Sequence, residues 1–197
     1  YPNPTSDVLN ISLLNQSIKE VKVINLQGVI VKEIMTIKNN QIDSYGIYNL
    51  SIGLMNFDYL EKINLRNNEI NAEGISYLSK MNLKSIENID LGYNEIRNNG
   101  IENFKSFNFE NLLELDLEQN KIGTEGMKFF SEINFFNLRN LNLSRNLFEH
   151  EGMKYLAFKN FGNLKKLNLS LNFIGDIGIE YLSNMKLFSL ENLNLSY

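Results

Sequence analysis

From Phe57 to the end of the chain, apolar residues recur at a fixed step of 26. A leading apolar residue stands at Leu60, Ile86, Leu112, Leu138, Leu164 and Leu190. Two more follow it, as Ile63/Leu65, Ile89/Leu91, Leu115/Leu117, Leu141/Leu143, Leu167/Leu169 and Leu193/Leu195. Each pair encloses one polar residue, and that period of two predicts a short strand with its apolar residues on one face. Ile70, Ile96, Ile122, Phe148 and Ile174 come next, then Gly74, Gly100, Gly126, Gly152 and Gly178, then Leu78, Phe104, Phe130, Leu156 and Leu182. Ile75, Leu78 and Met81, like Ile179, Leu182 and Met185, lie at i, i+3 and i+6, which predicts one face of a short helix. Phe57, Leu83, Phe109, Phe135, Phe161 and Leu187 open the units and are expected to stack between helix and strand.

A unit of this length cannot bury its apolar face alone, so the fixed step predicts a solenoid in which neighbours cover one another. Five full units run 57–82, 83–108, 109–134, 135–160 and 161–186, and a truncated sixth covers 187–197. An asparagine column, Asn68, Asn94, Asn120, Asn146 and Asn172, falls where each strand gives way to a turn. A side-chain amide there can bond backbone groups that have no sheet partner, so these residues are expected to form a structural ladder. The recurring Gly costs a helix roughly 0.5 to 1 kcal/mol relative to Ala, which implies close backbone approach rather than chemistry.

The unit LxxLxLxxNxIxxxGxxxL resembles leucine-rich repeats, and its NxIxxxGxxxL half is most similar to the ribonuclease-inhibitor-like class. The resemblance implies an α/β solenoid with parallel strands on a concave face and helices on a convex one. This chain departs from that class in its shorter unit and Asn-rich fillers.

Upstream, a step of 26 places Ile42 where the Asn belongs and Tyr48 where the Gly belongs, so the register is read as starting at residue 56. β-branched stretches separated by turn residues predict a small antiparallel β-sandwich-like module over 1–55. YPNPTSDVLNISL, IKEVKVINLQGVIVKE and IDSYGIYNLSI resemble, in that order, the sorting domain of the type IX secretion system. Pro2, Asn3 and Pro4 match its opening, Gly28 its central hairpin, and Gly46 and Tyr48 its last recognisable strand. The resemblance implies export to the cell surface or medium, with a cytoplasmic location as the alternative. The other role expected of 1–55 is to cap the first repeat's open edge.

Composition narrows the partners. Formal charge is 0 over residues 1–56 and −4 over the repeats, which disfavours nucleic acid. No apolar run approaches the ~20 residues of a membrane span. With 0 Cys, disulfides and thiolate metal sites are excluded. The chain starts at Tyr1 and stops where a sixth Asn is due, and is read as a fragment at both ends.

Chemistry is sparse. The lone His150 sits between Glu149 and Glu151 and is read as a surface residue. DLEQNKIG opens like a calcium loop, but Lys121 occupies the place of the required Gly. Three of the Asn-X-Ser sequons, at Asn142, Asn168 and Asn194, are the unit's own spelling, and the others, at Asn10, Asn15 and Asn49, lie in the first module. No catalytic residue, metal or cofactor is expected, and the chain is read as non-enzymatic.

Function, if the repeats carry it, belongs to strand residues facing away from the core. Asp90, Glu114, Asp116 and Glu118 form an acidic centre, edged by Arg66 on one side and Arg145 and Lys166 on the other, with Tyr93 as aromatic anchor. These eight are the expected contacts to a protein or glycan partner. The alternative is an intracellular scaffold or GTPase-activating regulator of the same architecture. Six strands about 4.8 Å apart span only about 24 Å, and the C-terminal strand, with no unit beyond it, is expected to allow self-association.

Overall fold

A computed structural model describes residues 12–13, 16–17, 33–53 and 57–196. Ser12–Leu13 (β1) and Gln16–Ser17 (β2) pair antiparallel. Seven strands then form one parallel sheet in chain order: Glu33–Thr36 (β3), Leu60–Asn64 (β4), Asn88–Asp90 (β5), Glu114–Asp116 (β6), Asn140–Asn142 (β7), Lys166–Asn168 (β8) and Asn192–Asn194 (β9). The helices Ser44–Ile52 (α1), Ala72–Leu78 (α2), Arg97–Asn103 (α3), Thr124–Glu132 (α4), His150–Ala157 (α5) and Gly175–Ser183 (α6) follow β3 to β8 in turn, each packed on the next. This is an α/β leucine-rich-repeat solenoid.

The apolar columns explain the layering. Ile63 pairs with Ile89, Leu115, Leu141, Leu167 and Leu193 across successive strands, so the 26-residue step is the sheet register. All of these but Leu193 are buried in one core with the leading residues Leu60, Ile86, Leu112, Leu138 and Leu164 and the helix residues Ile75, Ile101, Met127 and Met153. The opening column joins them, and the Phe109 and Phe135 rings stack with centroids 5.4 Å apart. The glycine column marks the tightest contact. A Cβ on Gly126 would lie 2.7 Å from both Ile122 Cγ2 and Asn98 Oδ1, and 3.3 Å from the Asn98 Cα in the preceding unit. Only a residue without a Cβ lets each helix settle on its own turn and on its neighbour's helix.

Upstream of residue 56 the structure corrects the expectation. β3 lies parallel to β4 with Met35 against Ile63, a step of 28 rather than 26. On that step Met35, Ile37, Asn40, Ile42, Gly46 and Leu50 fill the places of Ile63, Leu65, Asn68, Ile70, Gly74 and Leu78, and all six are buried. The two additional residues fall between Leu50 and Leu60, which hides the unit from a fixed step. Gly46 and Tyr48 therefore lie on a helix and not a strand. The Asp43 side chain caps that helix by accepting from the Gly46 amide at 3.0 Å, while Ile47 and Leu50 face the core at i and i+3. From residue 33 the chain is thus a repeat unit rather than part of a β-module, while upstream of it β1 and β2 pair antiparallel. Pro2, Asn3, Pro4 and Gly28 lie outside the described residues.

Candidate functional site

The strand face carries a groove of about 570 Å³, running from Thr36 on β3 to Asn194 on β9. Its walls are two strand columns. The first holds Lys62, Asn88, Glu114, Asn140, Lys166 and Asn192; the second holds Asn64, Asp90, Asp116, Asn142, Asn168 and Asn194. Every side chain of the second column is an Asn or Asp for a structural reason. Its Oδ1 accepts the backbone amide two residues on, from Arg66, Gly92, Glu118, Ser144, Ser170 and Ser196, at 2.8 to 3.1 Å. These Asx turns swing the chain out of the strand. Asp90 and Asp116 thus fold the backbone as well as supplying charge.

Beyond that turn the Asn column closes each unit onto the one before it. The Asn146 side chain donates to Leu117 O at 2.9 Å and Leu143 O at 3.0 Å, and its Oδ1 accepts the Asn120 and Ile122 amides at 3.0 Å each. Asn68, Asn94, Asn120 and Asn172 make the same kind of bonds, and Asn68 reaches back to Asn40 and Ile42 of the upstream unit. The residue before each Asn takes a left-handed backbone, with φ of 50° to 60° at Asn39, Asn67, Tyr93, Gln119, Arg145 and Leu171. Non-glycine residues hold that strained conformation because the ladder on one side and the Asx turn on the other fix the chain. A third polar column was missed in the sequence. Ser85, Asn111, Asn137, Asn163 and Ser189 each donate a side-chain bond to a carbonyl of the preceding unit, at 2.6 to 3.1 Å. Its signal was the same step of 26, masked by the abundance of Asn elsewhere.

The eight expected contacts divide into two groups. Asp90, Glu114, Asp116 and Lys166 line the groove, whereas Arg66, Tyr93, Glu118 and Arg145 gather at the turn end of the strands. Arg66 does not edge the acidic centre; it lies across it. Its guanidinium pairs with Asp90 and Asp116 at 3.4 Å each and with Glu118 two units away. Gly92 is the floor of that crossing, since a Cβ there would lie 2.9 Å from Arg66 Cζ. The Tyr93 ring packs under the guanidinium at 4.7 Å, its hydroxyl donates to Glu118 at 3.0 Å, and Arg145 Nε meets the same carboxylate at 3.2 Å. Burial works against the Arg66 charge, but the hydrogen bond to Glu118 and the fields of Asp116 and Asp90 outweigh it and hold its pKa above the ordinary value. Burial also lifts the Asp116 carboxyl above the usual range, and the charge of Asp90 adds to the effect. The Glu118 amide, Asn142 and Arg66 pull it the other way.

Glu114 stands outside this network, accepting from Asn140 at 2.7 Å on an exposed wall of the groove. His150 is the first residue of α5. Among the described residues no group of His, Cys, Asp and Glu is placed to hold a metal ion, and no helix is long and apolar enough to cross a membrane.

The leucine-rich-repeat family ("Leucine Rich repeat") matches residues 110–131 and 163–183, each spanning a strand, its turn and most of a helix. The family described as "Secretion system C-terminal sorting domain" matches residues 1–75, a span that runs through β3, α1 and β4 into α2. No curated protein matches. One solved structure, titled "Octameric complex of Latrophilin 3 (Lec, Olf), Unc5D (Ig, Ig2, TSP1) and FLRT2 (LRR)", aligns at 18% identity with a TM-score of 0.42, over 81% of this chain and 54% of that one. Two stretches of the solenoid thus match leucine-rich repeats, and its N-terminal end matches a sorting domain. The repeats suggest a protein-interaction module, and the sorting-domain match suggests export.

Proposed function

We propose that this chain is a non-enzymatic binding module that takes a protein or glycan partner along the strand-face groove, on an exported or cell-surface protein. The observation that supports this most is the groove itself. It presents the side-chain amides of Asn88 and Asn192 as paired donors and acceptors, with the Asn140 carbonyl and the Asn168 amino group beside them, which suit an extended peptide or a sugar. Its charge pattern adds direction: Asp90, Glu114 and Asp116 at the centre, Lys62 and Lys166 towards the ends. Because Arg66 already neutralises much of Asp90 and Asp116, Glu114 is the carboxylate best placed to meet a partner's Lys or Arg. The Arg66–Tyr93–Glu118–Arg145 cluster forms a rigid rim beside the groove and supplies the aromatic and Arg contacts that interfaces favour.

The test is charge exchange inside the groove and outside the rim network. Glu114→Lys combined with Lys166→Glu leaves the circular-dichroism melt nearly unchanged and abolishes capture of the proteins or glycans that the parent chain retains from source extract. Undiminished capture would place the partner elsewhere. The second reading, an intracellular scaffold or GTPase-activating regulator, is separated by location. Residues 1–75 fused to a reporter carry it to the surface or medium of the source cell under the first reading and leave it inside under the second.

A further inference from the structure

The outer face of the first two helices breaks the repeat pattern, and it does so with aromatic residues. Tyr45 stands where later units have Glu73, Asn99, Glu125, Glu151 and Ile177, and Tyr48 stands where they have Ser76, Glu102, Lys128, Lys154 and Glu180. Tyr77 belongs to a column that packs against the core in four units, through Phe129, Tyr155 and Tyr181, and holds Asn103 in the unit that follows Tyr77. Repeat packing therefore accounts for Tyr77 but not for Tyr45, which is 62% exposed, or for Tyr48.

The three rings converge. Tyr45 and Tyr48, at i and i+3 on α1, stack with centroids 6.1 Å apart, and Tyr48 meets Tyr77 edge-on at 5.1 Å. Between them lies a cavity of about 250 Å³ lined by Tyr45, Tyr48, Tyr77 and Glu73. Glu73, one turn before Tyr77 on α2, accepts the Tyr77 hydroxyl at Oε1 at 2.7 Å and puts a carboxylate in the wall. One cation already uses the outer surface of the cluster, since Lys80 Nζ sits 4.8 Å from the Tyr77 ring centroid. Lys80 does not line the cavity.

We propose that Tyr45, Tyr48, Glu73 and Tyr77 form a binding site for a methylated ammonium group. Aromatic faces attract such a cation through the ring quadrupole, and its methyl groups bury apolar area that a hydrated ammonium would not. The carboxylate supplies the countercharge at close range. A neutral group of the same shape would gain the contact but neither electrostatic contribution. The site lies on the helical side of the molecule and is independent of the groove reading, so the failure of either leaves the other standing.

The probes are choline, free trimethyl-lysine and the uncharged choline isostere 3,3-dimethylbutan-1-ol, titrated into the full chain while tyrosine ring resonances are followed. The cations produce saturable shifts of the three rings with a millimolar Kd, and the isostere binds at least about fivefold more weakly. Whichever cation binds more tightly identifies a headgroup-like or a side-chain-like source. Tyr48→Ala weakens choline about tenfold with the far-ultraviolet spectrum retained. Glu73→Gln, on an exposed side chain that leaves the fold intact, narrows the preference for choline over the isostere. Absence of a saturable shift up to about 100 mM, equal binding of the isostere, or an unchanged preference in Glu73→Gln would overturn the proposal.

Discussion

Removing one rung of the asparagine ladder shows how the repeats are joined, and Asn146→Ala is the sharpest case. The Asn146 side chain is 1% exposed. Truncation leaves the Asn120 and Ile122 amides without their acceptor and the Leu117 carbonyl without its donor, while the Leu143 carbonyl keeps the bond from Asn172. A buried polar group left unpaired costs about 1 to 3 kcal/mol. Two amides alone therefore amount to about 3 kcal/mol after partial relaxation, and the Leu117 carbonyl raises the figure. With a urea m-value of about 2 kcal/mol per molar, the midpoint falls by more than about 1 M. The structure also ranks the rungs. Asn120 is equally buried, but its Oδ1 takes the Ile96 amide at a longer 3.4 Å. Asn120→Ala should therefore destabilise by less than Asn146→Ala. Urea unfolding followed by circular dichroism measures both. A midpoint for Asn146→Ala within about 0.3 M of the parent, or the reverse ranking, would refute the ladder as the inter-repeat bond.

Two further outcomes follow from the same geometry. Because burial raises the Asp116 pKa, its contribution to stability is fully present below the ordinary aspartate range and is lost as pH rises through the raised value. Asp116→Asn keeps the Asx acceptor that Asn142 and Asn168 already supply in their own units, so the variant gains on the parent in thermal stability at neutral pH and the gap closes in acid. A gap that instead widens in acid would mean that the Arg66 pairing outweighs burial. At the other end of the sheet, Leu193 and Leu195 on and after β9 are 41% and 38% exposed, against 1% for Leu167 and Leu169. For residues 1–197 taken in isolation, light scattering across a concentration series should rise through association of that strand, and amides of 192–194 should exchange faster than those of 114–116. A strict monomer with equal protection of the two strands would contradict this.

The 26-residue step alone determined most of the core from Phe57 on, because a solenoid gives every unit the same environment and a column apolar in five units faces inward; Ile179, Leu193 and Leu195, expected on inward faces, are instead 44%, 41% and 38% exposed. The cap-and-turn chemistry was legible for the same reason in the Asn and Gly columns. What defeated a fixed step was a change of spacing. The unit from Met35 to Leu50 spells the same pattern but is set off by two residues before Leu60, and only its parallel pairing with β4 brings Met35 opposite Ile63. Reading columns one at a time also misplaced Arg66. In sequence it flanks the acidic residues; in space a glycine in the neighbouring unit clears its path, so its long side chain reaches a carboxylate two strands away. The tyrosine cluster belongs to the same class of feature. Tyr48 and Tyr77 lie on different helices, and helix packing, which a repeat dictates only for the residues it shares, decided that their rings would meet.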